Sequence, residues 1–146
     1  MIVWAEEVLK ANPGATIIAD VKASQVLFDQ IAKMGGIPLM WRTGHSLIKA
    51  KMAETGALLS GEMSGHIFFN DKWYGFDDGV YSGARIIELK SKTKKSVSNL
   101  NKELPILFST PELNIEVSDE KKFEIVEKFI ANCTLEGEKI SVDGLR

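Results

Sequence analysis

Apolar residues recur along the chain in two distinct periods, and the period changes at turn signals. Val3, Trp4, Ala5, Val8 and Leu9 fall at helical spacing and stop at Asn12-Pro13-Gly14. Thr16-Ile17-Ile18-Ala19-Asp20 is a compact β-branched run, as expected of a strand buried on both faces. Helical spacing returns from Ala23 to Met34 through Val26, Leu27 and Ile31, and Gly35-Gly36 closes it. Ile37 to Trp41 reads as a second strand, with Pro38 tolerable near its start. Ser46 to Glu54 predicts a helix with Leu47, Ile48 and Met52 inward and Gly56 as its stop. Ala57 to Ser60 and His66 to Phe69 read as strands around a glycine-rich turn. Asp77 or Asp78 then caps a helix running to about Leu89.

Strands and helices that alternate in this way predict an α/β layered domain with a largely parallel sheet. The two closely spaced last strands predict an antiparallel edge. Beyond Leu89 the pattern weakens. Lys90 to Ser96 is basic and polar, as a solvated helix end is, and Ser98 to Leu104 reads as a short helix. After Pro111 come a predicted strand (Leu113 to Val117), a helix (Asp119 to Asn132) and a strand start (Ile140 to Val142). Three elements are too few for a closed core, so this stretch is expected to be the start of a second domain. Phe28, Phe123 and Phe129 fall at helix-core positions.

Composition narrows the function classes. The chain has 146 residues, 45% hydrophobic and 26% charged, which suits an ordinary globular domain. A net charge of −2 gives no electrostatic reason to bind nucleic acid or an anionic membrane. Cys133 is alone, which excludes an internal disulfide and fits a reducing compartment. No apolar run approaches the ~20 residues that span a bilayer, and the first residues lack a secretion signal. The expected location is the cytoplasm.

The densest polar cluster is Gly61-Glu62-Met63-Ser64-Gly65-His66. Glu62, Ser64 and His66 are spaced by two, so extended geometry would project them on one side. A carboxylate, a hydroxyl and an imidazole together match the alternating donors and acceptors of a sugar ring. Two further groups follow predicted strands, where open α/β sheets place ligands. Lys22 follows the first strand, and His45 follows the second as a candidate proton acceptor at a helix start. Asp77 and Asp78 are adjacent and point apart, without further ligands at suitable spacing, so a metal there is not expected.

These segments together resemble the α-D-phosphohexomutase superfamily, in its bacterial phosphomannomutase/phosphoglucomutase branch. The resemblance rests on Asp20-Val21-Lys22, the run from Trp41 to Lys49, the run from Gly61 to Phe69, and Gly75 to Gly79. It implies that residues 1–107 form the third domain of such an enzyme, a three-layer α/β/α sandwich on a mixed, mostly parallel four-stranded sheet. Residues 108–146 would begin the fourth, phosphate-binding α+β domain. It implies sugar contacts for Glu62, Ser64 and His66, and assistance in phosphoryl or proton transfer for Lys22 and His45. The implied reaction moves a phosphoryl group between hexose 1-phosphate and hexose 6-phosphate, through a phosphoserine and a bisphosphorylated sugar. Mannose and glucose phosphates are the implied substrates, and the remaining domains of the same enzyme the implied partners.

The family's Thr-Ala-Ser-His-Asn-Pro-like serine segment does not occur in this sequence. Neither does its Asp-Gly-Asp-Gly-Asp-Arg-like magnesium loop. The chain by itself is therefore expected to be inactive as a mutase and to hold no Mg2+. Two other classes stay open at this level: a free-standing sugar-phosphate-binding module without catalysis, and a small zinc hydrolase using His45, Glu62 and His66.

Overall fold

A computed structural model of the chain describes residues 1–102, 104–108 and 110–146. They divide into two units, Met1–Ile106 and Leu107–Arg146.

In the first unit the β-branched run forms β1 (Thr16–Asp20), which has neighbours on both sides. It pairs in parallel with β2 (Ile37–Trp41) and with β3 (Leu59–Gly61). Antiparallel to β3, β4 (Ile67–Phe69) completes a sheet of order β2-β1-β3-β4. Side chains alternate across a strand, so β1 feeds two cores. Ile17 and Ala19 pack with Ala5, Val8 and Leu9 of α1 (Ile2–Ala11) and with Leu27, Phe28 and Ile31 of α2 (Gln25–Lys33). On the opposite face, Ile18 and Phe68 pack against Ile48 and Met52 of α3 (His45–Thr55). The result is the expected helix–sheet–helix sandwich. Each fully buried aliphatic side chain contributes roughly 1.5–3 kcal/mol.

Local signals set the ends of these helices. The Ser24 hydroxyl accepts the backbone N–H of Val26 at 3.3 Å to start α2, and Gly56 ends α3 in the left-handed region at φ 67°. Asp78, rather than Asp77, caps α4 (Gly79–Lys92) by accepting the N–H of Tyr81 at 2.9 Å. Between β4 and α4, Asp71 and Arg85 form a buried two-pronged ion pair at 2.7 and 3.0 Å. A short α5 (Val97–Lys102) follows; of the helix expected over Ser98 to Leu104, Glu103 lies outside the described residues.

The second unit departs from the expectation in three ways. Residues 113–117 form no strand, and Leu113 and Ile115 are more than four-fifths exposed. A strand needs a neighbour to receive its backbone hydrogen bonds, and none lies beside this run among the described residues. The strand start at Ile140 is instead a closed turn, with Ile140 and Arg146 exchanging both backbone bonds at 2.9 Å. Finally, α6 (Lys122–Asn132) starts after a turn that contains Asp119, and its Phe123 and Phe129 are exposed, whereas Phe28 is buried as expected.

Candidate functional site

Because β1, β2 and β3 are parallel, their carboxyl ends share one edge: Asp20 is in register with Trp41, and Ala19 with Gly61. The loops leaving that edge carry all five residues singled out from the sequence. What gathers them is a pair of buried carboxylates.

Asp20 is fully buried at the end of β1. Its Oδ1 accepts the N–H of Met63 at 3.2 Å and its Oδ2 the hydroxyl of Thr43 at 3.5 Å, so one side chain touches the loops after β2 and β3. Glu62 is also buried, and its Oε1 accepts the N–H of Gly44. Gly44 has φ 133°, a conformation open to glycine, which turns the N–H ahead of α3 toward Glu62. Burial pushes the Asp20 carboxyl above its ordinary pKa, and the nearby Glu62 adds to this. The Met63 N–H, the Lys22 charge and the Thr43 hydroxyl oppose it.

The extended arrangement expected for Glu62, Ser64 and His66 is not found. Residues 62–66 form a tight turn, with Glu62 N–H bonded to the His66 carbonyl at 2.9 Å and Gly65 N–H to the Glu62 carbonyl at 3.0 Å. Gly65 at φ 96° lets the chain reverse there. The three side chains consequently differ in setting: Glu62 is inside, Ser64 is exposed at the tip, and His66 is half-buried. Lys22 is exposed after β1, near enough to act on Asp20.

His45 opens α3 and is exposed, with its ring centroid 6.0 Å from that of His66. The Nδ1 of His66 meets the Asp77 Oδ2 at 2.5 Å, and Asp77 Oδ1 accepts the N–H of Ile67 at 3.3 Å. Asp20, Thr43 and Asp77 lie in segments that carry the resemblance, but the sequence assigns them no role in this candidate site. A carboxylate closing a strand buried on both faces was a signal for Asp20; Asp77 gave none beyond its candidacy as a cap. The aromatic run nearby is largely self-engaged: Trp73 stacks on Tyr81 at 4.5 Å and donates its indole N–H to Asp78 at 3.2 Å.

Among the described residues no three His, Cys, Asp or Glu side chains are grouped to hold a metal ion. His45, Glu62 and His66, the trio of the zinc reading, are not grouped in that way. No helix of the described residues is long and apolar enough to cross a membrane.

A mixed sheet between helix layers, with polar loops gathered at the carboxyl edge of its parallel strands, defines an α/β/α domain. The family model for phosphoglucomutase/phosphomannomutase, alpha/beta/alpha domain III, matches residues 1–108, and the chain belongs to that family. It is 51% identical over 147 aligned residues to a phosphomannomutase/phosphoglucomutase of Pseudomonas putida, covering 100% of this chain and 32% of that protein. It is 46% identical over 149 residues to a phosphoglucomutase of Neisseria meningitidis, with the same coverage of each. The crystal structure of a phosphoglucomutase/phosphomannomutase family protein from Burkholderia thailandensis superimposes with a TM-score of 0.89 at 49% identity, over 99% of this chain and 31% of that one. The chain thus spans about a third of the length of these relatives.

Proposed function

We propose that the edge carrying Lys22, His45 and the 62–66 turn reads the hexose of a sugar phosphate, as one part of a phosphomannomutase/phosphoglucomutase. The observation that carries this is the tying of three loops by Asp20 and Glu62, which presents Ser64, His66 and His45 from one preorganised edge. A ligand meeting such an edge finds a hydroxyl, imidazole nitrogens and the remaining carboxylate oxygen of Glu62, the mixture that sugar hydroxyls satisfy. Phosphoryl transfer needs positioning and charge neutralisation more than covalent help from the protein. Lys22 supplies a compact positive charge, and His45 a group that can take or give a proton.

The names of the relatives support mannose and glucose phosphates as substrates. The reaction we propose for the whole enzyme interconverts their 1- and 6-phosphates through a bisphosphorylated sugar. The transferring phosphoserine and the Mg2+ that assists it are assigned to the remaining domains of the same enzyme, because neither segment occurs in this sequence. The single Cys133 supports a reducing, cytoplasmic setting.

Calorimetry with mannose 1-phosphate tests the assignment. The parent chain is expected to bind, and Lys22→Ala and Ser64→Ala each to weaken binding by roughly tenfold, the value of one charge-assisted contact. Unchanged affinity in both variants would overturn it.

A further inference from the structure

The Asp77–His66 contact joins two half-exposed side chains, with about 34% and 44% of their surfaces open. Such a pair contributes little to stability. Its placement is nonetheless tightly determined. The segment after β4 folds back so that Asp77 forms a backbone bridge with Phe68, and Gly75 N–H bonds the Phe69 carbonyl at 2.8 Å. Nearer β4, the buried Asp71–Arg85 pair fastens the segment to α4. Helix capping is left to the neighbouring Asp78, so the Asp77 carboxylate is committed to other partners.

Both of its oxygens are used: Oδ1 accepts the Ile67 N–H, and Oδ2 faces His66 Nδ1 at 2.5 Å. An ionised carboxylate only accepts, so the proton between them belongs to Nδ1. The neutral ring then has its lone pair on Nε2, on the side away from Asp77.

We propose that Asp77 is a positioning residue for His66, holding the imidazole in the Nδ1–H tautomer and presenting Nε2 to the ligand. Its consequence for binding rests on the sugar-phosphate assignment above; the tautomer does not. Nε2 so prepared accepts a hydrogen bond from a sugar hydroxyl, and when protonated it donates one to an oxygen. The same ring with its proton on Nε2 would offer a donor only, and a hydroxyl placed to donate would lose its partner.

Asp77→Asn separates orientation from folding. The side-chain oxygen keeps the Ile67 N–H, while the amide nitrogen now faces Nδ1 and donates to it, forcing the proton onto Nε2. In Asp–His pairs this substitution keeps the geometry and imposes the wrong tautomer. The experiment is long-range proton–nitrogen NMR on the 146-residue chain at about pH 8, above the ordinary imidazole range. The parent is expected to show His66 protonated on Nδ1 and Asp77→Asn to show it on Nε2. His45 should be unchanged, and affinity for mannose 1-phosphate should fall about tenfold. Asp77→Ala, which removes both acceptors, should give mixed tautomers at His66. A parent His66 protonated on Nε2, or a tautomer indifferent to both substitutions, overturns the proposal. If the tautomer switches while the parent chain binds no mannose 1-phosphate, the positioning role is upheld and the sugar assignment fails.

Discussion

Glu62 accepts a hydrogen bond from the backbone N–H of Gly44, and that contact joins the turn after β3 to the start of α3. It fixes where His45 begins relative to Ser64 and His66. Replacing Glu62 by Ala leaves the Gly44 N–H without this partner. The expected cost is about 1–3 kcal/mol, read as a lower urea midpoint, with amide shifts around residues 43–46. An unchanged midpoint would show that the contact does not hold the two loops.

Asp20 gives a pH signature of definite sign. Its carboxyl is raised from the ordinary 3.8, chiefly by burial, so the folded chain binds this proton more tightly than the unfolded one. Stability from this group is greatest below 3.8 and is lost as pH rises through the raised value. Asp20→Asn keeps an acceptor for Met63 and carries no charge. Relative to the parent, it should gain stability between about pH 4 and about pH 7, measured by urea unfolding at each. A parent that gains on the variant over this interval contradicts the account.

The Asp71–Arg85 pair fastens the segment that carries Asp77. Both side chains are almost fully buried, and Arg85 also lies over the Phe69 ring at 4.4 Å. Removing Asp71 leaves the buried Arg85 with only the longer contact to Glu88 at 3.5 Å, so Asp71→Ala should cost about 3 kcal/mol in urea unfolding. A cost below about 1 kcal/mol, the range of exposed pairs, would mean that water reaches Arg85.

Much of the first unit was legible because burial writes itself into apolar period. The β-branched run Ile17-Ile18-Ala19, bounded by turn signals, reads as a strand with two buried faces, and Val26, Leu27 and Ile31 as one side of a helix. The glycine-rich turn between β3 and β4 is as expected, but Glu62, Ser64 and His66 do not project on one side, because spacing by two implies one face only when the backbone is extended, and Gly65 reverses it. The tying roles of Asp20 and Thr43 were not legible because their partners lie far along the chain: Met63 is 43 residues from Asp20. The strand expected at 113–117 failed for a different reason. Leu113, Ile115 and Val117 alternate as a strand does, but alternation supplies no partner edge.

The central claim, that one preorganised edge reads a sugar phosphate, is tested most directly by an amide NMR titration of the chain with mannose 1-phosphate, using inorganic phosphate and zinc as controls. The account predicts shifts confined to Lys22, the 43–46 segment and the 62–66 turn, larger than those with phosphate alone. No shift at these positions with the sugar phosphate, together with zinc broadening both histidines, would contradict it.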